Sequence, residues 1–169
     1  MIAYMTDTPA PKAVLDEATA TFIQRNVSII MATTNAEKRP TVTRVYGCRV
    51  AADGSSVTLY IASTYNAVLL ENIRATRNIA VVFSQPNSHK TIQLKGNDAE
   101  IASLETADQP VIENYFKLMI EELTGLGYPD AFARAMVQPP EKLDTAIRFT
   151  PLTAFSQTPG PDAGKKLSA

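Results

Sequence analysis

One cysteine, one histidine and no tryptophan occur among the 169 residues of this chain. With Cys48 alone, no intrachain disulfide can form and a zinc-binding cluster of thiolates is excluded. With His89 alone, the paired-histidine metal motifs and any site needing two imidazoles from one chain are excluded too, so no metal centre is expected. Neither sign of charge dominates: 16 basic and 17 acidic residues leave a net charge of -1. Such a chain has no field to draw in nucleic acid or an anionic membrane. No run approaches the roughly 20 apolar residues of a membrane span, and the start MIAYMTDTPAPK lacks the basic and apolar segments of a secretory signal. These absences lead us to expect a cytoplasmic protein, held together by packing, whose partners are not long polyanions.

What is present is 45% hydrophobic content, enough for a substantial core and too short a chain for two full domains. We expect one domain over 1–169, with a core at about 12–156 and a tail at 157–169. Residues 12–25 place Leu15, Ala18 and Phe22 at helical spacing, with Val14 and Ile23 widening the stripe. The run VSIIMATT from Val27 predicts a first strand, closed by the polar turn NAEKRP. Between 41 and 50, period-two alternation puts Val42, Arg44, Tyr46, Cys48 and Val50 on one face. Asp53-Gly54 then signals a hairpin into VTLYIAS. A short helix over 66–75 and a strand IAVVF follow. The stretch 90–101 alternates through Ile92 and Leu94, with Gly96 as a bulge or bend. Ile112, Tyr115, Met119 and Leu123 share a helical face, a second helix covers 129–137, and TAIRFTPLTAF returns to strand character. Hairpins and flanking helices argue for an α+β fold around an antiparallel sheet curled into a compact barrel.

The order of these elements resembles the pyridoxamine 5'-phosphate oxidase family of FMN-binding split barrels. The resemblance is carried by ATATFIQRN leading into VSIIMATT, by KRPTVTRVYGCRVAADGSSVTLYIAS, by NAVLLENIRATRNIAVVF and by KTIQLKGNDAEI. It implies an antiparallel split β-barrel with flanking helices, a homodimer, and FMN held in clefts between the subunits. It further implies that Arg44, on the second strand, and Lys90, at the start of the long strand, face the cofactor phosphate. Ser63, Thr64, Tyr65 and Asn66 precede the short helix where the family grips phosphate, and Thr91 stands where the oxidases proper carry glutamine. The basic pair of that grip falls at Val68 and Leu69 here, so neutral donors replace charged ones.

The function implied is a flavoprotein oxidoreductase acting on a small molecule, with the flavin supplying the redox chemistry. No side chain stands out as a catalytic acid or base. The alternative is a binding or sensing protein on the same barrel that holds haem, a deazaflavin or no cofactor. A charged group within an apolar strand is rarely buried unless it is paired or bound, which makes Arg44 the most informative residue. Its plain structural alternative is an ion pair with Glu71 or with an acidic residue of the partner subunit. Lys90 and Lys95 read more plainly as solvated strand lysines. His89 reads as a surface-loop histidine, with an axial haem ligand or proton donor as the sharper alternative, and Cys48 as a small buried hydrophobe. The proline and glycine punctuation of QTPGPDAGKK suggests a tail that folds back on the barrel.

Overall fold

The computed structural model describes residues 15–167, so the first three residues of the expected opening helix, 12–14, and residues 168 and 169 lie outside it. Asp16 caps helix α1 (Glu17–Ile23) by accepting the Thr19 N–H at 2.6 Å, and Glu17 adds negative charge to the first turn. Strands β1 (Ser28–Thr34) and β2 (Pro40–Val45) form an antiparallel pair. After β3 (Cys48–Val50) the chain turns at Asp53 and Gly54 into β4 (Val57–Ile61), the expected hairpin. A 3-10 turn over Ser63–Tyr65 leads to α2 (Ala67–Thr76), and then come β5 (Ile79–Ser84), β6 (Thr91–Gly96) and β7 (Glu100–Ser103). Two helices follow, α3 (Gln109–Gly125) and α4 (Asp130–Val137), before β8 (Thr145–Phe149) and β9 (Thr153–Ser156) close the chain.

The strands make two antiparallel sheets, one ordered β2-β1-β5-β6-β9 and the other β3-β4-β8-β7. The barrel is therefore split into two hydrogen-bonded sheets with four helices around them, an α+β fold. Three stretches that read as single strands each cross from one sheet to the other. Tyr46-Gly47 separates β2 from β3, the turn after Gly96 separates β6 from β7, and 150–152 separates β8 from β9.

The first crossing corrects the expectation of one common face from Val42 to Val50. Gly47 has φ of 112°, a conformation that favours glycine, and the chain reverses its facing there. Val42 and Arg44 stay on the outer face of β2, whereas Tyr46 and Cys48 are buried. Gly96 is needed for a different reason. A Cβ at Gly96 would come within 2.8 Å of both Phe149 Cδ2 and the Thr150 carbonyl, so only glycine lets the two crossings pass.

Between the sheets lie Ile29, Met31, Val81, Phe83, Ile92 and Leu94 from one side and Leu59, Ile61, Ile147 and Phe149 from the other, all buried. β4 is buried on both faces. Its Tyr60 hydroxyl reaches outward to Asp108 at 2.7 Å, and Arg49 donates to the same carboxylate at 2.8 Å and 3.2 Å. This knot ties the start of α3 to the second sheet. A second polar knot fixes the other end of α3, where buried Glu122 accepts from Asn26 Nδ2 and from the Asn87 N–H. Residues 157–167 turn back along β9: Leu167 donates to the Ala154 carbonyl at 2.8 Å, and Lys166 pairs with Phe155. Among the described residues no helix is long and apolar enough to cross a membrane, and no group of three or more His, Cys, Asp or Glu could hold a metal ion.

Candidate functional site

The outer face of the five-stranded sheet carries apolar side chains where a lone sheet would carry polar ones. Arg44, Ile30 and Val82 stand in one register row across β2, β1 and β5, and Val42, Ala32 and Ala80 in the next. Ile30 is 49% exposed and Val42 66% exposed. Where α3 and α4 fold over the edge of this face, they leave a groove of about 460 Å³. Its lining is mostly apolar: Ile30, Val42, Met119, Leu123 and Met136 surround Arg44. The size is within the roughly 300–1,000 Å³ of small-molecule sites, and the pattern of apolar walls with one convergent charge is theirs too.

Arg44 is half-buried there. Its Nη1 donates to the Met136 carbonyl in the last turn of α4 at 2.9 Å, and its guanidinium lies 5.8 Å from the centre of the Tyr46 ring. The expected alternative, an ion pair with Glu71, is not formed, and Arg44 has no carboxylate partner among the described residues. Its Nε is buried with no hydrogen-bond partner, and so is the hydroxyl of Tyr115 on α3. Burial pushes the Tyr115 phenol up to about 12, with the Arg44 charge and a close polar contact from its side chain pulling the other way. Burial and the same charge act on Tyr46, where burial prevails and raises the phenol. Both phenols therefore stay protonated at neutral pH.

Of the residues expected from the sequence, only Arg44 lines this groove. Ser63, Thr64, Tyr65 and Asn66 lie at the turn between β4 and α2. Two of them already have partners in the fold: Ser63 gives its hydroxyl and its N–H to Asp144 at 2.5 Å and 2.8 Å, and Asn66 gives its amide to the Ala62 carbonyl. Thr64 and Tyr65 are exposed. Thr91 is engaged by Ser84, by the His89 carbonyl and, through its N–H, by Thr158. Lys90 extends over the ring of Phe22, with Nζ 4.4 Å from the centroid, and remains exposed. Thus Arg44, Thr64, Tyr65 and Lys90 keep free functional groups, while Ser63, Asn66 and Thr91 are held by their own neighbours.

Cys48 is buried, donates toward the Ile23 carbonyl at 3.0 Å, and has its thiol pushed far up by burial, which suits a core residue and not a nucleophile. His89 sits exposed in the loop between β5 and β6 with φ of 57°, outside the groove. Sequence spacing gave no sign that the Tyr115 hydroxyl would lie beside Arg44, although Tyr115 does not itself line the groove. Its spacing with Met119 and Leu123 reads as a core stripe, and its hydroxyl was the one available sign of something more.

The sequence matches no protein-family model and no curated protein. The structure, by contrast, has clear neighbours, and they define the fold as the split β-barrel of pyridoxamine 5'-phosphate oxidase-like proteins. HupZ of Group A Streptococcus is 14% identical, with a TM-score of 0.54 over 89% of this chain and 99% of its own. An F420 reductase is 14% identical, with a TM-score of 0.53 over 83% of this chain and 98% of its own. A proposed pyridoxamine 5'-phosphate oxidase from Lactobacillus delbrueckii is 16% identical, with a TM-score of 0.51 over 86% and 96%. At such identities the likeness is one of fold, and one fold hosts several activities.

Proposed function

We propose that this protein is a homodimeric flavoprotein that binds FMN and uses it to oxidise or reduce a small molecule. The observation that carries the reading is Arg44: a cation with a buried, unpartnered Nε at the edge of an apolar groove calls for an anionic, flat ligand. A phosphate would meet the guanidinium, and the isoalloxazine ring would lie along the apolar walls. Bound FMN would supply the electron-transfer chemistry. The chain's own part is to bind, orient and exclude water: Arg44 holds the anion, and Ile30, Val42 and Met136 cover the ring.

In one subunit Thr64, Tyr65 and Lys90 do not line the groove that holds Arg44. A site built across a two-fold interface removes that difficulty, because one copy can supply Arg44 and the other the exposed donors. The apolar outer face around Ile30, Val42 and Val82 favours such a pairing, since exposed apolar strand faces call for cover and two-fold dimers are the commonest assembly. Ser63, Asn66 and Thr91 then shape the backbone of the site and do not reach the ligand. The same reading puts the protein in the cytoplasm, where a lone buried cysteine needs no oxidising surroundings.

The test is the visible absorption of the protein as purified, followed by titration with FMN and sedimentation at micromolar concentration. Flavin bands or saturable FMN binding by a dimer support the proposal. A colourless monomer that ignores added FMN overturns it, and a Soret band or a deazaflavin spectrum would replace FMN with that cofactor.

A further inference from the structure

Helix α4 is apolar along two adjacent stripes, and the fold covers only one of them. Ala133 and Val137 are buried, whereas Phe132 and Met136, about 100° around the helix, are exposed. Tyr128 precedes Phe132 and extends the exposed stripe, the two rings stacking with centroids 5.4 Å apart. Met136 brings this stripe to the rim of the groove, where it stands with Ile30, Val42 and Arg44. The apolar arc of α4 is thus left half covered beside the groove it borders.

Little holds α4 in this position. Its buried side chains are short, and Arg44 Nη1 to the Met136 carbonyl is the one hydrogen bond between α4 and the sheets among the described residues. That bond caps the helix. The Met136 carbonyl would accept from the residue four positions on, but that residue is Pro140 and has no N–H, and Pro139 fails the Ala135 carbonyl in the same way. Arg44 supplies a donor, and a positive charge, at the negative end of α4. At the other end the chain enters α4 past Gly125 and Gly127. Gly127 has φ of 93°, and a Cβ at either glycine would meet nothing within 4 Å, so this junction can turn without a clash.

The one charged residue lining the groove is therefore also what ties down the helix at its edge. An anion attracts a guanidinium more strongly than a neutral carbonyl does, because both partners are then charged. An anion that takes Arg44 from Met136 frees α4, and Phe132 and Met136 then lose exposed apolar surface by rolling onto the apolar body of the same ligand. We propose that α4 is a lid over the groove, latched open by Arg44 in the empty protein and released by an anionic ligand with an apolar body. The proposal rests on the groove being a ligand site, and for a flavin it makes the phosphate the trigger and the ring the surface that α4 covers.

Amide hydrogen exchange tests the latch, and thiol alkylation tests the lid. Without ligand, the amides of α4 should exchange roughly 2- to 12-fold faster in Arg44→Ala than in the wild type, while those of β5 keep their rates. Equal exchange in α4 overturns the proposal. Inorganic phosphate, an anion with no apolar body, should speed α4 exchange in the wild type and not in Arg44→Ala. For the lid, Phe132→Cys is alkylated with iodoacetamide; Cys48 is buried, so the introduced thiol reports alone. Saturating FMN should slow its reaction at least about fivefold. FMN bound, as quenching of its fluorescence shows, with an unchanged alkylation rate overturns the lid and leaves the flavin reading standing. A thiol already protected without ligand, and freed on dilution, means that a second copy covers the stripe, which also overturns the lid. No FMN binding, with phosphate still loosening α4 through Arg44, supports the latched lid and removes the flavin. A wild type on which neither probe acts overturns both.

Discussion

Replacing Arg44 by alanine separates ligand binding from stability in this protein. In the folded chain the guanidinium makes one hydrogen bond, Nη1 to the Met136 carbonyl, and stacks loosely on Tyr46, while its Nε remains buried and unpaired. Removing it loses one bond at the end of α4, a loss of about 0.5–1.5 kcal/mol. It also relieves an unsatisfied buried donor of similar size, so the net change in unfolding free energy should be under about 1 kcal/mol. The effect on an anionic ligand is not offset in this way. A charge-assisted hydrogen bond contributes roughly 1.5–3 kcal/mol, which predicts a loss of FMN affinity of about 10- to 150-fold. Arg44→Lys should restore part of it, since an ammonium keeps the charge and lacks the planar two-pronged geometry. Quenching of FMN fluorescence gives the affinities, and thermal melts followed by circular dichroism give the stability. Wild-type affinity in both variants, with the fold intact, would refute the assignment of the anion to Arg44.

Three further outcomes follow from the packing. Burial alone would raise the Asp108 carboxyl, but the Glu105 N–H, the Tyr60 hydroxyl and Arg49 together hold it below its ordinary value of 3.8. A depressed carboxyl stabilises the fold above the unfolded value and ceases to do so as pH falls through the folded one, so urea titrations should show stability dropping below about pH 4. Asp108→Asn should flatten that acid step and weaken the fold by roughly 2–3 kcal/mol at neutral pH, less than the roughly 3–5 for a fully buried pair because Arg49 is 35% exposed. Gly96→Ala should destabilise by about 1–3 kcal/mol, because the added methyl meets the Thr150 carbonyl and the Phe149 ring at 2.8 Å; an unchanged denaturation midpoint would mean the crossing yields easily. Truncation after Gln157 removes the Thr158 hydroxyl from the Thr91 N–H and the Leu167 N–H from the Ala154 carbonyl, and should lower stability by about 2 kcal/mol. Faster amide exchange at Thr91 and along β9 would accompany it, and full protection in the truncated chain would show the tail to be dispensable.

The sequence alone determined the elements and their kind. The β-rich apolar runs VSIIMATT and IAVVF, the Asp53-Gly54 turn and the stripe through Ile112, Tyr115, Met119 and Leu123 each fix a local conformation, because β-branched runs favour strands and the helix period is set by the backbone. Arg44 also stood out locally, as a charge among apolar neighbours. Which sheet each strand joins was decided only by tertiary structure. Tyr46-Gly47, Gly96 and 150–152 each break what reads as one continuous strand, and nothing short of the packed barrel shows that Arg44 faces out while Tyr46 faces in. The partners of the other expected residues were equally hidden, since Asp144 reaches Ser63 across 81 positions and Thr158 reaches Thr91 across 67. Tyr115 belongs to the same category. In sequence it is one more apolar position on a helix, and only the folded chain sets its buried hydroxyl beside a guanidinium from a strand 71 positions earlier. Local pattern reports what a segment can form, whereas pairing between distant polar groups depends on where the whole chain places them.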